Sequence, residues 1–449
     1  MSLPTRADVV IIGGGVMGAS AAFHLAEAGV TDVVVLEMDE FASGSTSKAA
    51  GGVRAQFSDP VNIALGARGL DAFENFHVRP GYEIDLHQVG YLFLLTSEEQ
   101  VEVYAASAAL QNSMGIATRI ISREEAQALS PAAITDDVIA ASYHPRDGYC
   151  STENVVLGYI GGARKLGAKA FTHVTVTSID IVDGVVRGVE TSQGRIETAT
   201  IVCTAGAWSS QIGAMAGVEL PIVPMRRQIL VSEPLPSELL DRFPDRQAFT
   251  IDAASTFYWH REGPGVLYGM SYQAETPGFK LTYSDEWLGD LGAAMERRCP
   301  ELFEVGIAHQ WAGLYEITPD HNALIGEDHR RCGRPEGRLH GQVRQRPASA
   351  AGPPLPRGAV SWTLQRLPPG NDSAGGGELS PVASILSEYR ANRIPTRAVD
   401  RCGRARRWAA VRSEPTMPSP GCSRRSGPGP SPCPPPSPWR YRCRCGHRP

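Results

Sequence analysis

The run Val9-Val10-Ile11-Ile12 is apolar and of strand character, and it stops at Gly13-Gly14-Gly15, where a helical pattern starts with Val16-Met17-Gly18. Gly13 permits the tight turn, Gly15 lets the backbone approach a pyrophosphate, and Gly18 lets the helix pack close to the strand. The helix N-terminus presents unpaired N–H groups and the positive end of its dipole to an anion. A second apolar strand, Val33-Val34-Val35-Leu36, ends at Glu37, 19 residues after Gly18, where a carboxylate accepts hydrogen bonds from ribose hydroxyls. A Gly-rich turn alone is common. Strand, glycines, helix, strand and acid in this order specify a βαβ unit that binds a dinucleotide.

The chain changes character near Asp328. Residues 329–449 hold 22 Arg, no Lys and 6 acids, a net charge of +16, together with 20 of the 34 prolines and six of the nine cysteines. The remaining 21 basic and 42 acidic residues leave −21 on residues 1–328. An Arg/Pro/Gly-rich stretch of this kind buries too little apolar surface to offset chain entropy, so a disordered basic tail is expected over 329–449. The tail has no aromatic interleaving and no Cys/His spacing of a zinc module, which argues against a nucleic-acid partner. Out-of-frame reading of GC-rich DNA produces the same composition, and the body, with only Lys48, Lys165, Lys169 and Lys280, fits a GC-rich source. No secretory leader precedes the first strand and no apolar run reaches transmembrane length, so a cytoplasmic location is expected. Cys150, Cys203 and Cys299 are isolated and read as small hydrophobes rather than disulfide partners. No metal site is expected.

Within the body, Phe41 to Arg54 is rich in glycine and small hydroxyl residues, suited to running donors along a pyrophosphate toward a cofactor ring. Helical spacing marks Asn62 to Phe76, Glu98 to Met114 and Glu153 to Leu166; Gly90 to Leu95 reads as a buried strand and Ala141 to Cys150 as a loop. Val174 to Val182 and Val185 to Glu190 read as a hairpin around Asp183-Gly184. Strands follow at Thr200 onward, Gln228–Val231, Phe257–His260 and Val266–Met270. The fold class is therefore α/β (α+β): a Rossmann-like dinucleotide domain over residues 7–85 and 145–215, returning to the first sheet at 311–328, interleaved with an antiparallel-sheet substrate domain over 86–144 and 216–310.

Gly13 to Gly18, Glu37, Gly44-Ser45-Thr46-Ser47, Gly90 to Leu95, Thr204-Ala205-Gly206-Ala207-Trp208 and Trp311 to Asp320 come in the order found in one family. Over roughly residues 7–328 the chain resembles the FAD-dependent D-amino-acid oxidase superfamily, on the branch of sarcosine oxidase β subunits and dye-linked L-proline dehydrogenase β subunits. The resemblance implies FAD, held with Gly13, Gly15 and Gly18 at the pyrophosphate and Glu37 at the adenosine ribose. It places Ser45 and Thr46 on the phosphates, the Ala50-Gly51-Gly52 backbone near the flavin, the Val176 main chain at the adenine, and Ala205, Gly206 and Trp208 at a second cofactor turn. The position matching a tethering cysteine is Gly313, so noncovalent FAD is implied. Family members continue beyond this point into a Gly-Phe-Ser-Gly-His-Gly loop and a closing helix, and nothing in residues 329–449 matches these.

Amine oxidation by flavin needs orientation, desolvation and charge complementarity from the protein, because the cofactor carries the hard step. Arg54 matches the family's substrate-carboxylate arginine, whose planar fork binds both carboxylate oxygens. Tyr258 and His260 alternate onto one face of a strand and are candidates to position the amine or hold charge near the flavin; Tyr272 is a further candidate, while His144 reads as structural. The implied substrate is a small amino acid or N-methylamino acid such as sarcosine, proline, glycine or a D-amino acid, with other oxidase or dehydrogenase subunits as hetero-oligomeric partners. Two alternatives stay open: an NAD-linked dehydrogenase, and a catalytically impaired or dead chain lacking the C-terminal flavin loop.

Overall fold

The computed structural model of the chain describes residues 2–326; the expected disordered tail lies outside the described residues. Four short strands form a parallel sheet in the order Ile201–Cys203, Val9–Ile12, Val33–Leu36, Lys169–Phe171. Every residue of Val9–Ile12 and Val33–Leu36 is buried, which is why both read as unbroken apolar runs instead of alternating ones. One face takes Val9, Ile11, Val33 and Val35 into a core with the helices Val16–Glu27 and Thr152–Lys165; the other takes Val10, Ile12, Val34 and Leu36 against the three-stranded antiparallel sheet Gly194–Glu197, Val185–Thr191, Val176–Val182. Each such side chain contributes about 1.5–3 kcal/mol on burial. Asp183 and Gly184, at φ +52° and +72°, turn the hairpin between the last two of those strands.

The second sheet has eight strands, ordered Ile307–Ile317, Val223–Ser232, Gly265–Met270, Tyr258–Glu262, Phe249–Asp252, Tyr91–Leu95, Ala140–His144, Arg119–Ile121. Its far face buries Leu92, Leu94, Trp259, Leu230 and Tyr268 against the helices Arg123–Leu129 and Leu288–Arg298. Its near face carries Tyr91, Phe93, Phe249 and Tyr258 toward the loop that leaves Glu37. Ser97 and Ser151 accept N–H groups at the first turns of the helices Glu98–Ser113 and Thr152–Lys165, and Asp59 does the same for Pro60–Glu74.

Two expectations are corrected here. The segment from residue 311 does not return to the first sheet: Ile307–Ile317 pairs antiparallel with Val223–Ser232, from Val223 opposite Ile317 to Ser232 opposite Ile307, and becomes the outer strand of the second sheet. Residues 141–150 are not simply a loop. Ala140–His144 is a buried strand between Tyr91–Leu95 and Arg119–Ile121, and its small and polar residues conceal the strand because their burial comes from tertiary partners.

Candidate functional site

Gly13 adopts φ +109°, and a side chain there would run into the Thr204 carbonyl. Gly18 faces the Gly13 carbonyl so closely that any Cβ would collide with it. Gly15 differs: a Cβ would meet only Thr46 Oγ1, at 3.1 Å, so the space beside this turn is open. Val16 N donates to Thr46 Oγ1 at 3.2 Å, which brings the small-residue loop onto the helix N-terminus. Glu37 accepts from Gly14 N at 2.6 Å and from Asp39 N at 2.9 Å, and each carboxylate oxygen keeps a lone pair for a sugar hydroxyl. Val174 N donates to Glu37 O at 2.8 Å, so the start of the Val176 strand runs beside the acid, with Val176 buried. Thr204 Oγ1 donates to Ile12 O and Gly13 O, both 3.1 Å, and ties the Ala205-Gly206 turn to the first one. Trp208 lies 3.9 Å from where a Gly44 side chain would sit. These residues make a cradle that glycine alone leaves open, and a dinucleotide pyrophosphate with its ribose fits it.

Ser45 departs from the simple phosphate reading. Its hydroxyl donates to Glu316 Oε1 at 2.9 Å, and that carboxylate also borders Gly206. Glu316 is a residue the sequence reading did not single out, although it lies in the Trp311 to Asp320 segment.

At the other end of the loop, Gly51 and Gly52 are closed by neighbours rather than open. A Cβ on Gly51 would strike the Cys150 carbonyl and one on Gly52 the Tyr91 hydroxyl. Gly52–Val53 pairs with Gly148–Tyr149, and Arg54 follows directly, half-buried. The Arg54 Cζ lies 4.7 Å from the Phe57 ring centroid, 5.5 Å from Phe93 and 5.9 Å from Tyr91. It lines a cavity of about 310 Å³ with Val53, Asn62, Leu65 and Phe73. Among the described residues no carboxylate pairs with it. An aromatic ring of this kind strengthens the pull on an anion by excluding water.

Tyr91 stacks on Phe249 at 4.2 Å, and Phe249 leads on to Tyr258 at 5.8 Å. Burial pushes both the Tyr91 and Tyr258 hydroxyls well above the ordinary tyrosine range, so both keep their protons. His260 requires correction. It is fully buried, stacked on Tyr149 at 4.1 Å, with Nδ1 2.6 Å from Arg261 O and Nε2 3.1 Å from Ala50 O. Burial holds its pKa down at about 4. A ring with no exposed surface touches no substrate; the neutral ring donates to one of these two carbonyls and packs against the other. Tyr272 packs against the core on the far face of the sheet and is also remote from Arg54's side. Tyr91 was hidden in an apolar run and Phe249 in a stretch given no element in the sequence reading, and only pairing to neighbouring strands shows which face they occupy.

The sequence model of the FAD dependent oxidoreductase family, DAO, matches residues 8–341, a little beyond residue 328, where the motif resemblance ended. Mitochondrial dimethylglycine dehydrogenase of Rattus norvegicus is 31% identical over 340 residues, covering 72% of this chain and 39% of that protein. Mitochondrial sarcosine dehydrogenase of Mus musculus is 30% identical over 344 residues, covering 72% of this chain and 36% of that protein. The chain thus spans well under half the length of these relatives. Among solved structures, L-proline dehydrogenase from P. horikoshii superposes with a TM-score of 0.68 at 31% identity, covering 73% of this chain and 86% of that one.

Proposed function

The chain belongs to the FAD-dependent oxidoreductase family of the D-amino-acid oxidase type, and from that premise we propose that it oxidises the C–N bond of a small amino acid or N-methylamino acid. The observation that carries this reading is Arg54, a guanidinium with no carboxylate partner among the described residues, set among aromatic rings on the same loop that brings Thr46 to the dinucleotide cradle. FAD, held by Gly13 to Gly18, Glu37 and Thr46, supplies the hydride acceptor. Arg54 binds the substrate carboxylate through two parallel charge-assisted bonds. Phe57, Tyr91 and Phe93 exclude water around that pair. Tyr258, whose proton is retained, would donate to the substrate, and His260, buried between Tyr149 and the Ala50 carbonyl, packs the loop backbone in place.

The likeness to L-proline dehydrogenase supports placing the chain on the branch with the sarcosine oxidase and proline dehydrogenase β subunits. Noncovalent FAD is supported by Gly313, whose missing side chain leaves room for the Lys48 stem; acid precipitation is expected to release all flavin into the supernatant. The composition beyond Asp328 supports an out-of-frame C-terminus. The coding DNA tests it: another frame after codon 328 is expected to encode a Gly-Phe-Ser-Gly-His-Gly-like loop, and an absence of one in every frame overturns it.

The activity is tested by reconstituting the chain, and a frame-corrected form, with FAD and following flavin bleaching on sarcosine, dimethylglycine, proline, glycine and D-alanine without oxygen. Arg54→Ala is expected to cost about 2–5 kcal/mol in carboxylate capture, roughly 30-fold or more in kcat/KM, while amines lacking a carboxylate lose far less. Equal losses on both classes reject the assignment of Arg54.

A further inference from the structure

Arg227 is a second cation on the same side of the sheet as Tyr258. It lies on Val223–Ser232, opposite Gly313 of the outer strand. Strand alternation sends the preceding Arg226 to the far face, where Glu275 takes its Nε at 2.5 Å, and leaves Arg227 beside Tyr315. Its Cζ stands 5.3 Å from the Tyr315 ring centroid. Nη1 donates to the Arg226 carbonyl at 2.9 Å, whereas Nε is buried without a hydrogen-bond partner. Among the described residues no carboxylate pairs with Arg227. An unmatched buried donor on a charged group is costly, and an incoming anion removes that cost.

Aromatic rings lie between Arg227 and Arg54. Arg54 Cζ lies 5.9 Å from the Tyr91 ring, Tyr91 stacks on Phe249 at 4.2 Å, and Phe249 lies 5.8 Å from Tyr258; Tyr258 and Ile229, two residues along the strand from Arg227, both stand opposite Gly269. Lys48 packs its stem on Gly313, the residue opposite Arg227. The face therefore carries a run of aromatic rings with a guanidinium toward each end.

We infer that the substrate carries two carboxylates, one taken by Arg54 and a second by Arg227. This rests on the reading of Arg54 as the amino-acid carboxylate ligand and extends it to a specificity residue. A monocarboxylate such as sarcosine satisfies only one end of this run, and the unmatched Arg227 then penalises it against a dicarboxylate.

The test measures binding by calorimetry to the full chain, with and without FAD, so that turnover is not needed. The probes are sarcosine, iminodiacetate and N-methylglutamate. At least one dicarboxylate is expected to bind about tenfold or more tightly than sarcosine, as a charge-assisted pair warrants. Arg227→Gln is expected to shrink that preference to about threefold or less, and Arg227→Lys, which keeps the charge, to retain part of it. A preference near one in the unaltered chain, or one unchanged by Arg227→Gln, overturns the inference while leaving Arg54-dependent sarcosine binding intact. Binding of all three that is indifferent to Arg54→Ala, or no binding of any, overturns the underlying reading and this inference with it.

Discussion

Asp147 Oδ1 accepts the backbone N–H of Ala55 at 2.9 Å, across 92 residues of sequence and one residue beyond Arg54. The same oxygen meets His144 Nδ1 at 2.6 Å, and both side chains are buried. Gln56 Nε2 divides itself between Asp147 Oδ2 at 3.3 Å and Tyr91 O at 3.0 Å, with Ser142 donating to its carbonyl at 2.8 Å. The backbone that carries Arg54 is thus fastened to the end of the eight-stranded sheet's Ala140–His144 strand through one buried carboxylate. Asp147→Ala removes the acceptor of Ala55 N and the partner of His144 Nδ1, leaving Gln56 its bonds to Tyr91 O and Ser142, and is expected to destabilise the fold by about 3–5 kcal/mol. Asp147→Asn keeps an acceptor and is expected to cost about 1–3 kcal/mol, with KM for the amino acid rising more than kcat falls. Urea midpoints and steady-state kinetics check both; an Asn variant that changes kcat alone contradicts a positioning role.

The glycine turn separates stability from cofactor binding. A Cβ on Gly18 collides with the Gly13 carbonyl and lies 2.8 Å from Thr204 Oγ1, so Gly18→Ala is expected to cost about 1–3 kcal/mol in fold stability. A Cβ on Gly15 meets only the movable Thr46 hydroxyl, so Gly15→Ala is expected to change stability by less than about 1 kcal/mol. It nonetheless fills the space the pyrophosphate uses, and FAD affinity is expected to fall about tenfold or more, about 1.4 kcal/mol. Thermal unfolding of the apo chains beside flavin titration tests the pair. Wild-type FAD affinity in Gly15→Ala removes the phosphate role.

The dinucleotide half was legible because its constraints are local: Gly13, Gly15, Gly18 and Glu37 act through turn geometry and fixed spacing along one βαβ unit. The other half was legible only in part. Arg54 stood out through family likeness, but its aromatic ring comes from Phe57 and from Tyr91 and Phe93 on a separate strand, and nothing in the run Gly90 to Leu95 says which residues face the loop. Arg226 and Arg227 look alike in sequence; only the register against Ile307–Ile317 shows that one is locked to Glu275 and the other borders Tyr315. His260 misled for the same reason: alternation put it on the Tyr258 face, yet Tyr149 and Ala50 cover it, and both arrive from elsewhere in the chain.

The three described cysteines differ in reactivity. Cys150 is buried beside Gly51, and burial pushes its thiol up to about 12. Cys299 is buried as well, and burial again raises its thiol well above the ordinary range. Cys203 is exposed at the end of Ile201–Cys203, which among the described residues pairs with Val9–Ile12 alone. The thiolate is the reactive form. Iodoacetamide at pH 8 is expected to alkylate Cys203 in the folded chain and to reach Cys150 and Cys299 only after denaturation, as read by peptide mass mapping. Early labelling of Cys150 contradicts the closed packing at Gly51.

His260 gives the chain a pH-dependent stability with a defined sign. Its folded pKa of about 4 lies below the ordinary value of 6.5, chiefly through burial, with the Arg261 and Ala50 carbonyls acting in the opposite direction. Between those values the unfolded chain takes up a proton that the folded chain refuses. Stability is therefore full above about pH 6.5, falls as pH drops through the window, and levels off below about pH 4, for a total on the order of 3 kcal/mol. His24 is shifted in the same direction, again first by burial, so the unaltered protein carries both slopes. His260→Gln removes one of them. Urea midpoints measured from pH 4 to pH 8 are expected to show a shallower fall for this variant than for the unaltered chain. The variant is also expected to be less stable at pH 7, since the stack on Tyr149 and the contact to Ala50 are lost. Parallel curves across the whole range show that His260 titrates normally, and the closed pocket assigned to it is then wrong.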